Sequence, residues 1–330
     1  MIHPHSYLLC CDWGTSSFRL RLVQRSSQNV VHEIATSEGV ASIYQQWQQA
    51  TGNPSPCRES FFLDFLERRI NQLAQKTGEN LDEVNMVLTG MASSSVGLRE
   101  LPYAHTPIPL DGSQLITEQL PCDRRAILMV SGLRTSSEVM RGEEIQMIGL
   151  EEISEQFQVP GEQLVVVLPG THSKHVKILD GMIVDFSTAM TGELFALLIS
   201  GGLLSYSVTK PLSHEFPINW KYFREGVRLS LHHSLMHSLF RIRTNDLLNG
   251  IRGTDNYYYL SGLLIGSELV QLRSDPGTRI ILNCASHLKD YYQCALDELG
   301  MEDRTYSVPT DQFDSLLIRG QIKMANRSGL

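Results

Sequence analysis

The 330-residue chain is poor in the features that usually decide a function quickly. No apolar run approaches the roughly 20 residues that cross a bilayer, so no spanning helix is expected. The formal net charge is −8, and the 28 Lys and Arg form no basic block. Affinity built on neutralising nucleic-acid phosphates is therefore not expected. The six cysteines, at 10, 11, 57, 122, 284 and 294, lack zinc-ligand spacing. A chain of this length needs no staples, so they are read as free thiols of a reducing, cytoplasmic setting. The start, MIHPHSYLLCCDW, has no basic segment ahead of a long apolar core, which argues against a signal peptide. Neither GxxxxGK(S/T) nor GxGxxG occurs, so the P-loop and dinucleotide-fold readings lack their motifs.

What is present centres on Tyr7 to Val23, YLLCCDWGTSSFRLRLV. An apolar strand ends in Asp12, and a tight turn with Gly14, Thr15 and Ser16 leads into an alternating strand. Gly14 lets a ligand approach the backbone closely. Successive N–H groups and the hydroxyls could form an anion nest. Asp12 could hold Mg²⁺, largely through water, because that ion keeps much of its hydration shell.

The stretch has an echo. Val165 to Leu179 reads VVVLPGTHSKHVKIL, with Gly170-Thr171-x-Ser173 matching Gly14-Thr15-x-Ser17. Asp12 corresponds to Leu168, so only the first turn keeps an acid. A spacing this long is no solenoid period; it suggests two similar halves. Two such loops converging on one polyphosphate is the arrangement of the actin and sugar-kinase superfamily.

Between these loops the pattern alternates. Strands are expected near 29–36, 84–89 and 126–131, and a helix over 59–76. Residues 45–58 read as an exposed loop and 101–113 as irregular. In the second half, strands are expected at 164–168, 174–179, 182–186, 279–283 and 305–308. Helices are expected at 191–200, 219–241, 257–273, 287–299 and 312–325. This is an α/β plan with two mixed sheets. The division expected is 1–120 and 121–330, with the closing helix 312–325 returning toward the first half.

Arg141-Gly142-Glu143-Glu144 places two carboxylates at a helix start, where the macrodipole favours them. One of them could also take the proton of an attacking hydroxyl; the likeness to kinases that place their base at such a helix start favours Glu143, with Glu144 close behind. Arg141 could pair with a carboxylate or phosphate. Around Gly170, Thr171 and His172 the second turn adds an imidazole, and Lys174 adds an ammonium of undetermined direction. GMASSSVG at 90–97 follows a strand and offers hydroxyls suited to a polyol. His232, His233 and His237, expected on one helix, lack an accompanying acid and read as surface.

Six blocks in order carry a family resemblance: DWGTSSFRLRL (12–22), GMASSSVGLRELPY (90–103), VMRGEEIQMIGL (139–150), VLPGTHSKHVKI (167–178), AMTGELFALL (189–198) and LSGLLIGSEL (260–269). With them the chain resembles the 2-dehydro-3-deoxygalactonate kinases. The resemblance implies two ribonuclease H-like, actin-like ATPase domains with a cleft between them. It implies ATP- and Mg²⁺-dependent phosphorylation of the 6-hydroxyl of a 2-keto-3-deoxy sugar acid. ATP would be held by Gly14, Thr15, Ser16, Gly170, Thr171, His172 and Lys174, with Ala285 and Ser286 near the adenosine. The sugar acid would meet Met91, Ser95, Gly97 and Arg141, and Asp12 would carry the metal. The turn Asn283-Cys284-Ala285-Ser286-His287 departs from the family's Gly-Thr-Ser-like turn, with Cys284 in place of a glycine. That leaves nucleotide preference open. A kinase for a related sugar acid, or a non-catalytic sensor of one, are the alternatives; a homodimer is allowed.

Overall fold

A computed structural model describes residues 3–50, 57–120, 122, 124–211 and 217–330. The chain separates into two compact units, one made of 1–156, 181–185 and 314–330, the other of 157–180 and 186–313.

The first unit begins with β1 (Tyr7–Trp13), β2 (Phe18–Gln24) and β3 (Val30–Thr36), an antiparallel meander. Helices α1 (Val40–Gln49) and α2 (Arg58–Thr77) follow, then β4 (Met86–Gly90), which pairs parallel to β1. Two short strands, β5 (Ala104–His105) and β6 (Ile108–Pro109), precede β7 (Thr117–Leu120) and β8 (Ile127–Val130). Strands β9 (Leu133–Arg134) and β10 (Val139–Met140) lead into α3 (Glu143–Glu155). The main sheet has the order β3-β2-β1-β4-β8-β7. The expected division at 120/121 falls inside this unit, because β8 pairs parallel to β4 and antiparallel to β7.

The second unit repeats the plan. Its strands are β11 (Leu164–Leu168), β12 (Ser173–Leu179), β13 (Met182–Ala189, of which 182–185 count with the first unit), β14 (Arg279–Leu282) and β15 (Thr305–Ser307). They run in the order β15-β14-β11-β12-β13. As with β1 and β4, β11 is antiparallel to its hairpin partner and parallel to β14. Helices α4 (Thr191–Ser200), α5 (Trp220–Ser230), α6 (Leu235–Asn249), α7 (Gly253–Leu269) and α8 (Ser286–Glu298) complete it. The last helix, α9 (Thr310–Arg327), supplies 314–330 to the first unit. A three-strand meander with a fourth strand parallel to its first, twice over, is the ribonuclease H-like plan of the actin-like ATPases.

Two expectations change. Gln45–Gln49 closes α1 rather than forming a loop, and 51–56 lie outside the described residues. The stretch 219–241 is two helices, because α5 ends at Ser230 and Ser234 takes extended backbone and starts α6. His232 and His233 therefore sit in the break, with only His237 on a helix.

Alternation decides the faces of β1. Leu9, Cys11 and Trp13 join one core with α2. There Trp13 stacks on Phe65 at 5.1 Å between ring centroids, and Phe18 meets both edge-on. The opposite face carries Cys10 and Asp12, with Arg21 and Arg19 as their cross-strand neighbours. Helix α9 lies on the first unit through Gln321, whose amide donates to the Cys11 carbonyl (3.0 Å) and the Thr89 hydroxyl (2.9 Å). Where α9 crosses α3, a Cβ on Gly149 would stand 1.8 Å from the Leu316 oxygen, and one on Gly320 2.0 Å from that of Ile145. That reciprocal contact fixes where α3 begins, and with it the two glutamates.

Candidate active site

Asp12 is half-buried near the end of β1 and registers against Thr89 of the parallel strand β4. Gly90 then takes φ +81°, and a Cβ there would stand 2.8 Å from the Trp13 oxygen and 3.3 Å from Asp12 Oδ1. Gly142, at φ +114°, would put a Cβ 3.5 Å from the Gly90 Cα. Two backbones without side chains thus bring the end of β4 and the start of α3 beside Asp12. Burial raises the Asp12 carboxyl above its ordinary value. Arg21 and Arg19 oppose that rise, while the charges of Glu143 and Asp314 add to it.

The two glutamates separate clearly. Glu144 is buried, and both its oxygens accept from the Gly142 N–H, at 2.8 and 2.7 Å. Burial first, and the neighbouring Glu143 charge second, push its carboxyl up to about 8 despite these bonds and Arg141. It folds back onto the backbone just ahead of its own helix, buried away from solvent. Glu143 is half-buried, and one of its oxygens accepts from the Arg141 N–H at 3.1 Å.

Arg141 does not reach out to a ligand. Its guanidinium donates to the Ser93 carbonyl (2.7 Å), the Ser93 hydroxyl (2.5 Å) and the Leu101 carbonyl (3.3 Å), and stacks 4.1 Å over the Tyr103 ring. It pins the 91–101 loop to the start of α3. That loop also spends most of its own polar groups. The Ser93 and Ser94 hydroxyls donate to the Val130 and Met91 carbonyls, at 2.8 and 2.7 Å. Gly97 is buried, with its Cβ position 2.3 Å from the Ala92 oxygen. Of the expected substrate contacts there, Ser95 is exposed and Met91 half-buried.

The first glycine-threonine turn is shorter of donors than expected, because the Gly14 N–H closes the hairpin onto the Ser17 carbonyl at 2.9 Å. Thr15 and Ser16 stay exposed. A brace the sequence reading missed holds them. The Gly14 and Thr15 carbonyls accept from the Val40 and Ala41 N–H groups of α1, and a Cβ on Gly39 would fall 2.2 Å from the Thr15 oxygen. The second unit repeats this. The Thr171 carbonyl accepts from the Glu193 N–H of α4 at 3.1 Å, and a Cβ on Gly192 would fall 2.6 Å from the Gly170 oxygen. A glycine opening the next helix after each turn was the available signal.

In the second turn Gly170 is half-buried and Thr171 exposed. The His172 ring pairs with Glu193. Lys174 turns inward: it is buried, and its ammonium donates to the His172 carbonyl at 2.9 Å, strapping the turn. Beside the turn the second unit has a cavity of about 270 Å³. Gly170, Gly192, Phe195, Tyr257, His287 and Tyr291 are among its lining residues. Ala285 precedes α8 and Ser286 begins it; the next two residues, His287 and Leu288, line the space. Cys284 is buried in the apolar core with Tyr292 and Leu296.

Among the described residues no three His, Cys, Asp or Glu side chains cluster as a metal cage. A single carboxylate is still suited to Mg²⁺, which binds through one or two carboxylates plus substrate phosphates and water. Asp12, half-buried at a strand end and faced by bare glycine backbone, fits that role.

Comparison with known proteins agrees with the fold and the order of motifs. The family model for 2-keto-3-deoxy-galactonokinase matches residues 12–318. A relative from Rhizobium meliloti (strain 1021), named as a probable 2-dehydro-3-deoxygalactonokinase, is 28% identical over 306 residues, covering 90% of this chain and 91% of its own. The 2-dehydro-3-deoxygalactonokinase of Escherichia coli (strain K12) is 30% identical over 228 residues, 67% of this chain and 73% of its own. A crystal structure from Sinorhizobium meliloti, assigned to the same enzyme, has a TM-score of 0.76 at 26% identity, covering 98% of this chain and 96% of that one. With a match spanning nearly its whole length, the chain belongs to the 2-keto-3-deoxy-galactonokinase family.

Proposed function

We propose that this protein transfers the terminal phosphoryl group of ATP to the 6-hydroxyl of 2-dehydro-3-deoxy-D-galactonate, a step of galactonate catabolism. The observation that carries the reading lies within the first unit. Asp12 at a strand end, the bare backbones of Gly90 and Gly142, and the half-buried Glu143 carboxylate meet at one place. A metal-holding acid beside an accessible base is what transfer to an alcohol requires.

In this reading Glu143 takes the proton of the attacking hydroxyl, and Glu144, protonated and buried, fixes the helix start beneath it. Bound Mg²⁺ would offset charge on the phosphate oxygens, with Asp12 as its protein anchor. The Thr15–Ser16 turn of the first unit and the Gly170–Thr171 turn of the second are each assigned contacts to phosphate. The aromatic cavity beside Gly170 takes the adenosine. Arg141 acts by holding the 91–101 loop, where Met91 and Ser95 are offered to the sugar acid. Catalysis is then mainly positioning and electrostatics.

The test is ADP release with a panel of sugar acids. Turnover that requires 2-dehydro-3-deoxygalactonate and Mg²⁺ is expected. Preference for the gluconate epimer would move the substrate. ADP binding without turnover on any acid would make the protein a sensor. We place it in the cytoplasm, consistent with its six free thiols. Among the described residues no helix is long and apolar enough to cross a membrane. Met236, Phe240 and Leu247 leave an exposed apolar stripe on α6.

A further inference from the structure

Glu268, on α7 in the second unit, is a buried carboxylate that the reaction as described does not use. Four elements converge on it. Its Oε2 accepts from the Thr191 hydroxyl at the start of α4 and from the Tyr292 hydroxyl of α8, the latter at 2.7 Å. Its Oε1 lies 3.1 Å from His175 Nε2 on β12. The chain of bonds continues into the phosphate turn. The Tyr292 oxygen is 3.1 Å from the Ser173 hydroxyl, and the Gly170 N–H reaches the Ser173 oxygen at 3.3 Å.

A carboxylate can only accept. It therefore sets the direction of every proton in the chain. Tyr292 gives its single proton to Glu268, so Ser173 must give its own to Tyr292. The Ser173 lone pairs are then left for the Gly170 N–H. Thr191, Gly170 and Tyr292 all line the cavity beside the turn. Buried networks of this kind are costly when one member is removed, because the remaining donors keep their desolvation cost without a partner.

We propose that Glu268 is the positioning residue of the nucleotide half: through Thr191, Tyr292 and Ser173 it holds the Gly170–Thr171 turn and the adjoining cavity wall in the geometry that binds ATP. This rests on the ATP reading above. It predicts a loss confined to nucleotide affinity, since the groups assigned to the sugar acid belong to the first unit. Glutamine should restore much of that affinity, because its oxygen can still accept from the two hydroxyls. Its amide would face His175, whose Nδ1 has no partner among the described residues.

The experiment uses the full-length chain and ADP as the calorimetric probe, with KM for ATP and for the sugar acid measured alongside. Glu268→Ala should raise the ADP Kd and the ATP KM about tenfold or more, with the sugar-acid KM held within about twofold. Glu268→Gln should recover most of the loss, and Tyr292→Phe should fall between. A Glu268→Ala variant that binds ADP like the wild type overturns the proposal. So does one that loses only kcat, in step with its folded fraction. If Glu268→Ala fails to fold, Tyr292→Phe decides, and unchanged ADP affinity there is equally fatal. A wild type that binds no ADP sinks the ATP reading instead, a distinguishable result.

Discussion

Glu144→Gln offers the sharpest test of the assignment of the two glutamates. The carboxyl has an ordinary value of 4.5 and is held at about 8 by burial beside Glu143. Below 4.5 both the native and unfolded chains carry the proton, and the native state has its full advantage. As pH rises, the unfolded chain releases the proton while the native chain keeps it, so stability falls until about 8, where both are ionised. At about 1.4 kcal/mol per pH unit over that interval, the ceiling is about 5 kcal/mol. Glutamine copies the neutral carboxyl and has no proton to lose. Urea melts at a series of pH values from 5 to 8.5 should show wild-type stability declining more steeply than that of the variant. The difference between the two curves isolates this one group from the other acids. The variant should also keep turnover within about tenfold, because the Glu144 charge is not the base. Parallel stability curves, or a collapse of kcat, would refute the division of roles.

Glu143→Gln should cut kcat by about 10² to 10⁴-fold with little change in either KM, read from steady-state kinetics. Asp12→Asn should cut turnover strongly and raise the Mg²⁺ concentration needed for half-maximal rate; near-normal Mg²⁺ titration would remove Asp12 from the metal. Gly192→Ala, whose added methyl would meet the Gly170 oxygen at 2.6 Å, should raise the ATP KM while circular dichroism stays native. Arg141→Lys should lose both the paired bonds to Ser93 and the stacking on Tyr103, raising the sugar-acid KM more than the ATP KM.

How much of this could be read from the chain alone depends on whether the signal was local. Strand alternation and the Gly-Thr-x-Ser turns are local, so the α/β plan and its duplication were legible. Asp12 was legible for the same reason: a carboxylate ending an apolar strand stands out against the run before it. The long-range partners of that strand were not. Nothing within a few residues of Cys10 announces that its cross-strand neighbour is the buried Arg21. The break at 231–234 was missed because apolar spacing continues across it, and a serine at a helix start resembles one inside a helix. Polar groups misled most where the turns consume them. Lys174, Ser93, Ser94 and Arg141 read as ligand contacts by type, yet each satisfies a carbonyl of its own fold.

The same accounting explains why the two turns look alike at the level of backbone more than of sequence. Each offers an exposed threonine and hides that threonine's carbonyl oxygen under an N–H group of the next helix. An anion placed at such a turn meets hydroxyls and helix-starting dipoles rather than bare carbonyls, which would repel it. The glycines at 39 and 192 are what allow the helix to come that close. Asp12 has no counterpart in the second half because Leu168 occupies the equivalent place. An acid in the second turn would repel a phosphate held there, whereas one carboxylate suffices to hold a hydrated cation. On the proposed reading, the duplication keeps an anion-accepting turn in both halves and the cation-holding acid in the first alone.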